Sequence, residues 1–505
     1  MKRWMAKLLL SGVVTLALLC LLEGVCRLAL PAPDKVRLPP KEQGAFRVVA
    51  LGGSTVYGTP IPEFGIVAML EHELEQMLDG ARLDLINLGK PGADSQAVLA
   101  RLRQALAAQP DLVIVLMGHN EYLNRKGEHP DWRADLLDRA RGFALGRALD
   151  SAAARIRDPR QARHFVMPDR LEPYDRASAW FQGRQERFRR SLLEALELCQ
   201  RAGVPILLCT APFNLADWPP VHEDIAWASP IPAYDRLLAD LAEQIAEGRL
   251  EEAKQRAEQS LSQYGEDAML LYVKGKIAQA EARDEEALEL FRRAKDLDPY
   301  PWRALTLLND MTRSFSGAAG AAVADVEEAF LKAAPGGLVG FDLVADNCHP
   351  TPLGSAVAAA AIAGRIRELN WLPGLSAARA PKELLEDYLG GLNPPGREAE
   401  LWLEWRLQNA LYCMKSPFYF FSASMKYLDD ALASHPQDWR LYANRATVHW
   451  LEGRIEEGRA DLSRALDLKG GPLDVEDRAV TPYLKEALEK ARQGGGLRDM
   501  LPVHH

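Results

Sequence analysis

Four short β-rich runs set the limits on what this chain can become. They lie at residues 46–51, 83–88, 111–117 and 204–210, separated by stretches of helical periodicity such as 95–108 and 187–202. Parallel strands need long crossovers, usually helices, so this alternation predicts an α/β fold with a parallel sheet and helices on its faces. In such sheets the reactive groups sit on loops at the carboxyl ends of the strands. The segments after Leu51, Leu88, Met117 and Thr210, and the approach to His349, are therefore where chemistry is expected.

The chain has 505 residues, more than one ordinary core encloses, so several folding units are expected. With 48% hydrophobic and 26% charged residues it reads as globular, and a net charge of -9 argues against a general nucleic-acid binder. The arginine-rich stretch 155–190 reads as a solvated helical face. Lys2, Arg3 and Lys7 precede an apolar run at 8–22 that continues to Leu30, before Pro31 and Pro33. This predicts an uncleaved signal anchor, a transmembrane helix over 1–30 with a linker at 31–45, and a body on the extracytoplasmic (periplasmic) side. Leu19 and Val25 precede Cys20 and Cys26, where a lipoprotein signal needs a small residue. Six cysteines without a CxxC pair predict neither a disulfide framework nor a zinc site. Cys209 and Cys348, placed at one sheet edge, are expected as two buried thiols in preference to an oxidised pair.

Two stretches have a different texture. Ala253 and Ala287 are 34 residues apart, and Gly275, Phe291, Ala294 and Pro299 fall at fixed offsets around them. The same spacing separates Ala431 from Ala465, with Pro436, Gly453 and Gly458 at turn and packing positions. This resembles the tetratricopeptide repeat, a pair of antiparallel helices with small residues where they touch. One module is expected at 236–299 and a second, all-α, at 397–491. Solenoids of fewer than about three repeats rarely stand alone, so each pair must dock on the α/β core, on the other pair or on a protein partner.

Ser54 follows Gly52-Gly53 where the first strand turns into a helix, which presents a hydroxyl at the sheet edge. The surrounding residues match neither a phosphate loop, since Thr59-Pro60 stands where lysine is needed, nor a GxSxG elbow, since Val56 fills the second glycine position. Gly92 follows the second strand and Gly118-His119-Asn120-Glu121 the third. Asp346 precedes His349 by three residues, a spacing that lets a carboxylate orient an imidazole whose other nitrogen faces a serine. His119 lacks a carboxylate so placed and is expected to line the site. Trp132, Trp180 and Trp218 could stack on sugar rings, although packing is the commoner role.

The four pieces, Gly53-Ser54, Gly92, Gly118-x-Asn120 and Asp346-x-x-His349, resemble in order the four blocks of the SGNH (GDSL-type) hydrolase family. Two departures are Gly53, where the family has aspartate, and Glu121, where it has aspartate after the asparagine. The resemblance implies a flavodoxin-like three-layer α/β/α domain, in two parts at 46–235 and 300–375, with a shallow open site and no metal or other cofactor. It implies a serine esterase in which Ser54 attacks, His349 moves the proton and Asp346 holds its tautomer. The backbone N–H groups of Ser54 and Gly92 and the Asn120 amide would bind the oxyanion. The expected substrate is an acyl ester, on an envelope carbohydrate. Two alternatives stand beside this reading, an O-acyltransferase using the same triad and a non-catalytic docking protein built on the repeats.

Overall fold

A computed structural model describes residues 38–78, 82–123, 174–221 and 232–471, apart from 373, 395 and 415–419, together with Leu18, Cys20, Leu22, Leu473, Thr481 and Leu484. Five parallel strands form one sheet: β1 (Ala45–Gly52), β2 (Arg82–Asn87), β3 (Leu112–Leu116), β4 (Ile206–Cys209) and β5 (Ala321–Ala324). Their order is β2-β1-β3-β4-β5, the flavodoxin-like order, which reverses direction between β1 and β3.

Alternate residues of a strand face opposite sides of a sheet, and here both sides are buried. Val48, Ala50, Ile114, Leu116, Leu207 and Cys209 face one layer of helices, formed by α1 (Ile66–Met77) and, later in the chain, α9 (Val326–Ala333) and α10 (Pro352–Glu368). Val49, Leu51, Val113, Val115, Ile206 and Leu208 face the other, formed by α2 (Ser95–Ala105), α3 (Ala179–Ala202) and α8 (Thr306–Arg313). This is a three-layer α/β/α fold with the strand order that the resemblance implies.

Four helices interrupt it: α4 (Pro232–Ala246), α5 (Leu250–Tyr264), α6 (Ala268–Ala280) and α7 (Asp284–Asp296). They lie between β4 and β5. The insertion thus precedes the last core strand, where the sequence implies that it follows it; β5 carries no strand signal because Ala321-Ala322-Val323-Ala324 is four residues long and mostly alanine, a weak strand former. Leu271, Ala278, Ala287, Leu290, Phe291 and Ala294 of α6 and α7 join the α/β core, and the ring of Phe291 lies where a side chain on Gly275 would meet it at 2.6 Å. Leu237, Leu241, Ala253 and Ala257 of α4 and α5 pack on α6.

Beyond α11 (Pro381–Gly390) come α12 (Arg397–Met414), α13 (Phe421–Ser434), α14 (Trp439–Leu451) and α15 (Ile455–Lys469). Gly458 lets α15 close on Trp450, whose indole would lie 2.2 Å from any Cβ there. Among the described residues no helix is long and apolar enough to cross a membrane. The anchor expected over 1–30 lies outside the described residues except for Leu18, Cys20 and Leu22, which are helical and exposed.

Candidate active site

Ser54 opens a single helical turn, Ser54–Tyr57, directly after β1, and is half-buried. Gly58 closes the turn at φ +93°, its N–H bonding the Ser54 carbonyl, so the chain reverses sharply and the serine stays at the carboxyl edge of the sheet. At Gly53 a Cβ would stand 2.7 Å from Asn120 Nδ2, so with the amide placed as it is a larger residue here would have to shift that side chain.

Asn120, buried beyond β3, donates from Nδ2 to the Ala93 carbonyl at 2.9 Å. An amide nitrogen carries two protons, so one N–H remains beside the Gly53-Ser54 backbone. Gly92, at φ +73°, forms the turn before Ala93 and α2. Glu121 fastens this turn to the β3 loop: one carboxylate oxygen accepts from the Ser95 N–H at 2.6 Å and the other from the Ser95 hydroxyl at 2.9 Å. Burial, with the Asp94 carboxylate adding to it, pushes the Glu121 carboxyl up to about 8.

The third segment runs from Gly340 to Thr351. An antiparallel bridge pairs Val344 with Pro350, Ala345 N–H bonds His349 O at 2.8 Å, and Thr351 caps α10 by accepting from Gly354 N–H. Within it His349 Nδ1 lies 2.6 Å from Asp346 Oδ2, and His349 Nε2 lies 2.7 Å from Ser54 Oγ, across 295 residues of sequence. The other Asp346 oxygen accepts the backbone N–H groups of Cys348 and His349, both at 2.8 Å. Asp346 and His349 are 2% and 5% exposed, so this chain of hydrogen bonds runs in a largely water-free setting. Burial by itself would depress the His349 imidazole, but the adjoining Asp346 carboxylate outweighs it and holds the group well above its ordinary value.

The structure thus brings Ser54, Asn120, Asp346 and His349 to one edge, with the Gly92 turn tied to Asn120 through Ala93. His119 is buried and accepts the Ala304 N–H on Nδ1 at 3.1 Å. Burial, with His349 adding to it, lowers it to about 3, so it stays neutral and holds the segment before α8. Cys209 and Cys348 are buried free thiols. Trp218 is buried edge-on to Phe420, Trp180 stacks on Tyr174, and Trp132 lies outside the described residues. Among the described residues the one potential metal cluster is Asp346, Cys348 and His349, of which His349 Nδ1 and the Asp346 oxygens are engaged in the hydrogen bonds above.

Several contributors escaped the sequence reading. Asn214, beyond β4, donates its side-chain amide to Val344 O and its backbone N–H to Asn347 O, both at 3.1 Å. Asn347 in turn donates to Trp302 O at 2.8 Å. No local pattern marks these residues, because their partners are 45 or more positions away. Nor did the sequence reading foresee that α12 and α13 share an apolar cluster with Ile61, Phe64, Leu123, Trp218, Val221 and Phe341, residues of the loops beyond the strand ends.

Residues 50–249 match the model of the GDSL-like Lipase/Acylhydrolase family. The match takes in Ser54, Gly92 and Asn120, and the similarity of the α/β domain to GDSL/SGNH hydrolases rests on it. By class the protein is an ester-bond hydrolase. The match ends before Asp346 and His349, whose place in the site comes from the geometry alone. Among solved structures, the lipase/acylhydrolase from Enterococcus faecalis is similar at 14% identity and a TM-score of 0.30, over 66% of this chain and 99% of that one. A GDSL-like lipase from Bacteroides thetaiotaomicron VPI-5482 is similar at 12% identity and a TM-score of 0.31, over 66% and 93%. No curated protein matches.

Proposed function

We propose that this GDSL/SGNH hydrolase is a membrane-anchored serine esterase working through Ser54, His349 and Asp346. The observation that carries the reading is the continuous path from Ser54 Oγ to His349 Nε2 and from His349 Nδ1 to Asp346. In it the serine hydroxyl donates to the neutral imidazole, whose Nδ1–H is fixed by the carboxylate. As Ser54 Oγ bonds to the acyl carbon its proton passes to His349 Nε2, and Asp346 stabilises the imidazolium that forms. The proton then goes to the leaving alcohol. Water, deprotonated by the same nitrogen, releases the acid and restores the serine. Ser54 N–H, Gly92 N–H and the second N–H of Asn120 are the donors for the tetrahedral oxyanion.

The natural ester we assign to an envelope carbohydrate, with the body held on the extracytoplasmic side by the helix expected at 1–30. The outer helices of the repeat-like modules are the surfaces for a protein partner. The first test uses the fragment from Pro33 onward, intact and as Ser54→Ala, on a short-chain aryl ester and a fluorophosphonate probe. Turnover and labelling by the intact fragment, with neither in the variant, support the reading. Equal silence of both in a folded sample removes it.

A further inference from the structure

We infer that the helical hairpin of α12 and α13 is part of the active site, with Tyr412 and Tyr427 as positioning residues for His349. This rests on the triad reading above and assigns a role to a segment that ester hydrolysis does not by itself require.

His349 sits on a loop, so its separation from Ser54 is kept by whatever holds that loop. The internal bonds are the Val344–Pro350 bridge, the Ala345–His349 backbone bond and the two backbone donors to Asp346. External support on one side comes from Asn214 and Trp302. On the other side it comes from the C-terminal helices. Tyr427 Oη donates to the Ala345 carbonyl at 2.6 Å, adjacent to Asp346, and both groups are buried. The Tyr412 ring meets the His349 imidazole edge-on, with centroids 5.8 Å apart and planes at 90°, and its hydroxyl reaches Asn347 Oδ1 at 3.4 Å. Phe341, at the start of the loop, lies against Phe420 and Tyr427 at 5.9 and 6.5 Å.

These helices have no separate core at this point. Leu401, Trp405, Leu411 and Leu428 share one buried cluster with Trp218, Tyr300, Trp302 and Ala345 of the catalytic half. A tethered docking module would keep its apolar contacts to itself. Here Tyr412 limits imidazole rotation and keeps water from that side of the ring, while Tyr427 fixes the backbone beside Asp346. A displacement of about 1 Å at such a site costs on the order of 10²-fold in rate.

The test compares the full-length chain in detergent as wild type, Tyr412→Leu, Tyr412→Phe, Tyr427→Phe and the exposed control Lys426→Ala, using aryl-ester kinetics, the rate of fluorophosphonate labelling and the melting temperature. Tyr412→Leu is expected to lower kcat and the labelling rate by roughly 10- to 100-fold with KM within about 2-fold. Tyr412→Phe restores most of this, Tyr427→Phe loses kcat by several-fold, and Lys426→Ala behaves as wild type. Wild-type kcat in a folded Tyr412→Leu protein overturns the inference. So does a loss that follows a lowered melting temperature and is not restored by phenylalanine. A folded wild type that neither turns over nor labels overturns the esterase reading, and the inference with it.

Discussion

At the scale of single residues, the Asp346 carboxylate has two separable effects on His349. It accepts Nδ1–H, which leaves Nε2 free to take the serine proton, and its charge raises the imidazole well above its ordinary value against the pull of burial. A base works only when unprotonated, so the acid limb of kcat/KM is expected above pH 6.5, with activity rising as pH rises. In Asp346→Asn the raising charge is gone while burial persists, so the limb moves to lower pH. The plateau falls by roughly 10³- to 10⁴-fold because the tautomer is no longer held. A pH–rate profile of the two proteins checks both effects, and an unmoved limb would contradict the electrostatic account. Gly53 makes a related point. The sequence shows it as a departure from the family's pattern, and the structure adds that Asn120 Nδ2 lies 2.7 Å from where a Cβ would stand.

At the scale of elements, strands β1 to β4 were legible because branched and aliphatic residues cluster in short runs bounded by turn residues. β5 was not, since four residues rich in alanine carry no periodic signal, and its identity as a strand comes from pairing with β4. The helical hairpins were legible through small residues at fixed spacing, and their packing supplies the reason. Gly458 faces Trp450 at a distance that leaves no room for a side chain. Gly458→Val is therefore expected to destabilise the α14–α15 hairpin by about 1–3 kcal/mol through overpacking. Because the defect sits at the α14–α15 contact while the His349 loop is held by Tyr412 of α12 and Tyr427 of α13, kcat at 25 °C should be unchanged while the denaturant midpoint falls. A matching loss of kcat would place this hairpin in the site as well.

On the scale of the whole molecule, the inserted and terminal helices are bound into the catalytic half by buried polar groups as well as by apolar area. Arg303, 2% exposed, donates to the carbonyls of Asn214 and Trp218 at 2.9 and 2.7 Å and pairs with buried Asp298 at 3.2 Å. It thereby joins the exit of the insertion to the loop beyond β4, where Asn214 supports the His349 loop. Removing residues 397–505 would expose Trp218, Tyr300, Trp302 and Phe341 together and withdraw Tyr412 and Tyr427. That truncation is expected to lose at least about 10-fold in kcat and to self-associate, read by size-exclusion chromatography and aryl-ester turnover. A monomeric, fully active fragment would show that the terminal helices are dispensable to the site.

What the sequence determined by itself follows from local physics. Alternation of strand and helix implied a parallel sheet, parallel sheets place their loops at one edge, and Ser54, Asn120 and His349 each follow a predicted run or precede a predicted helix. Tertiary structure alone decided which distant groups complete that edge. The 2.7 Å contact of Ser54 with His349 spans 295 residues, and Asn214, Trp302, Tyr412 and Tyr427 support it through bonds or ring contacts that span tens of residues or more. Such partners are chosen by the global packing of layers and insertions. Periodicity and motif spacing record a residue's neighbours along the chain and carry no trace of that choice.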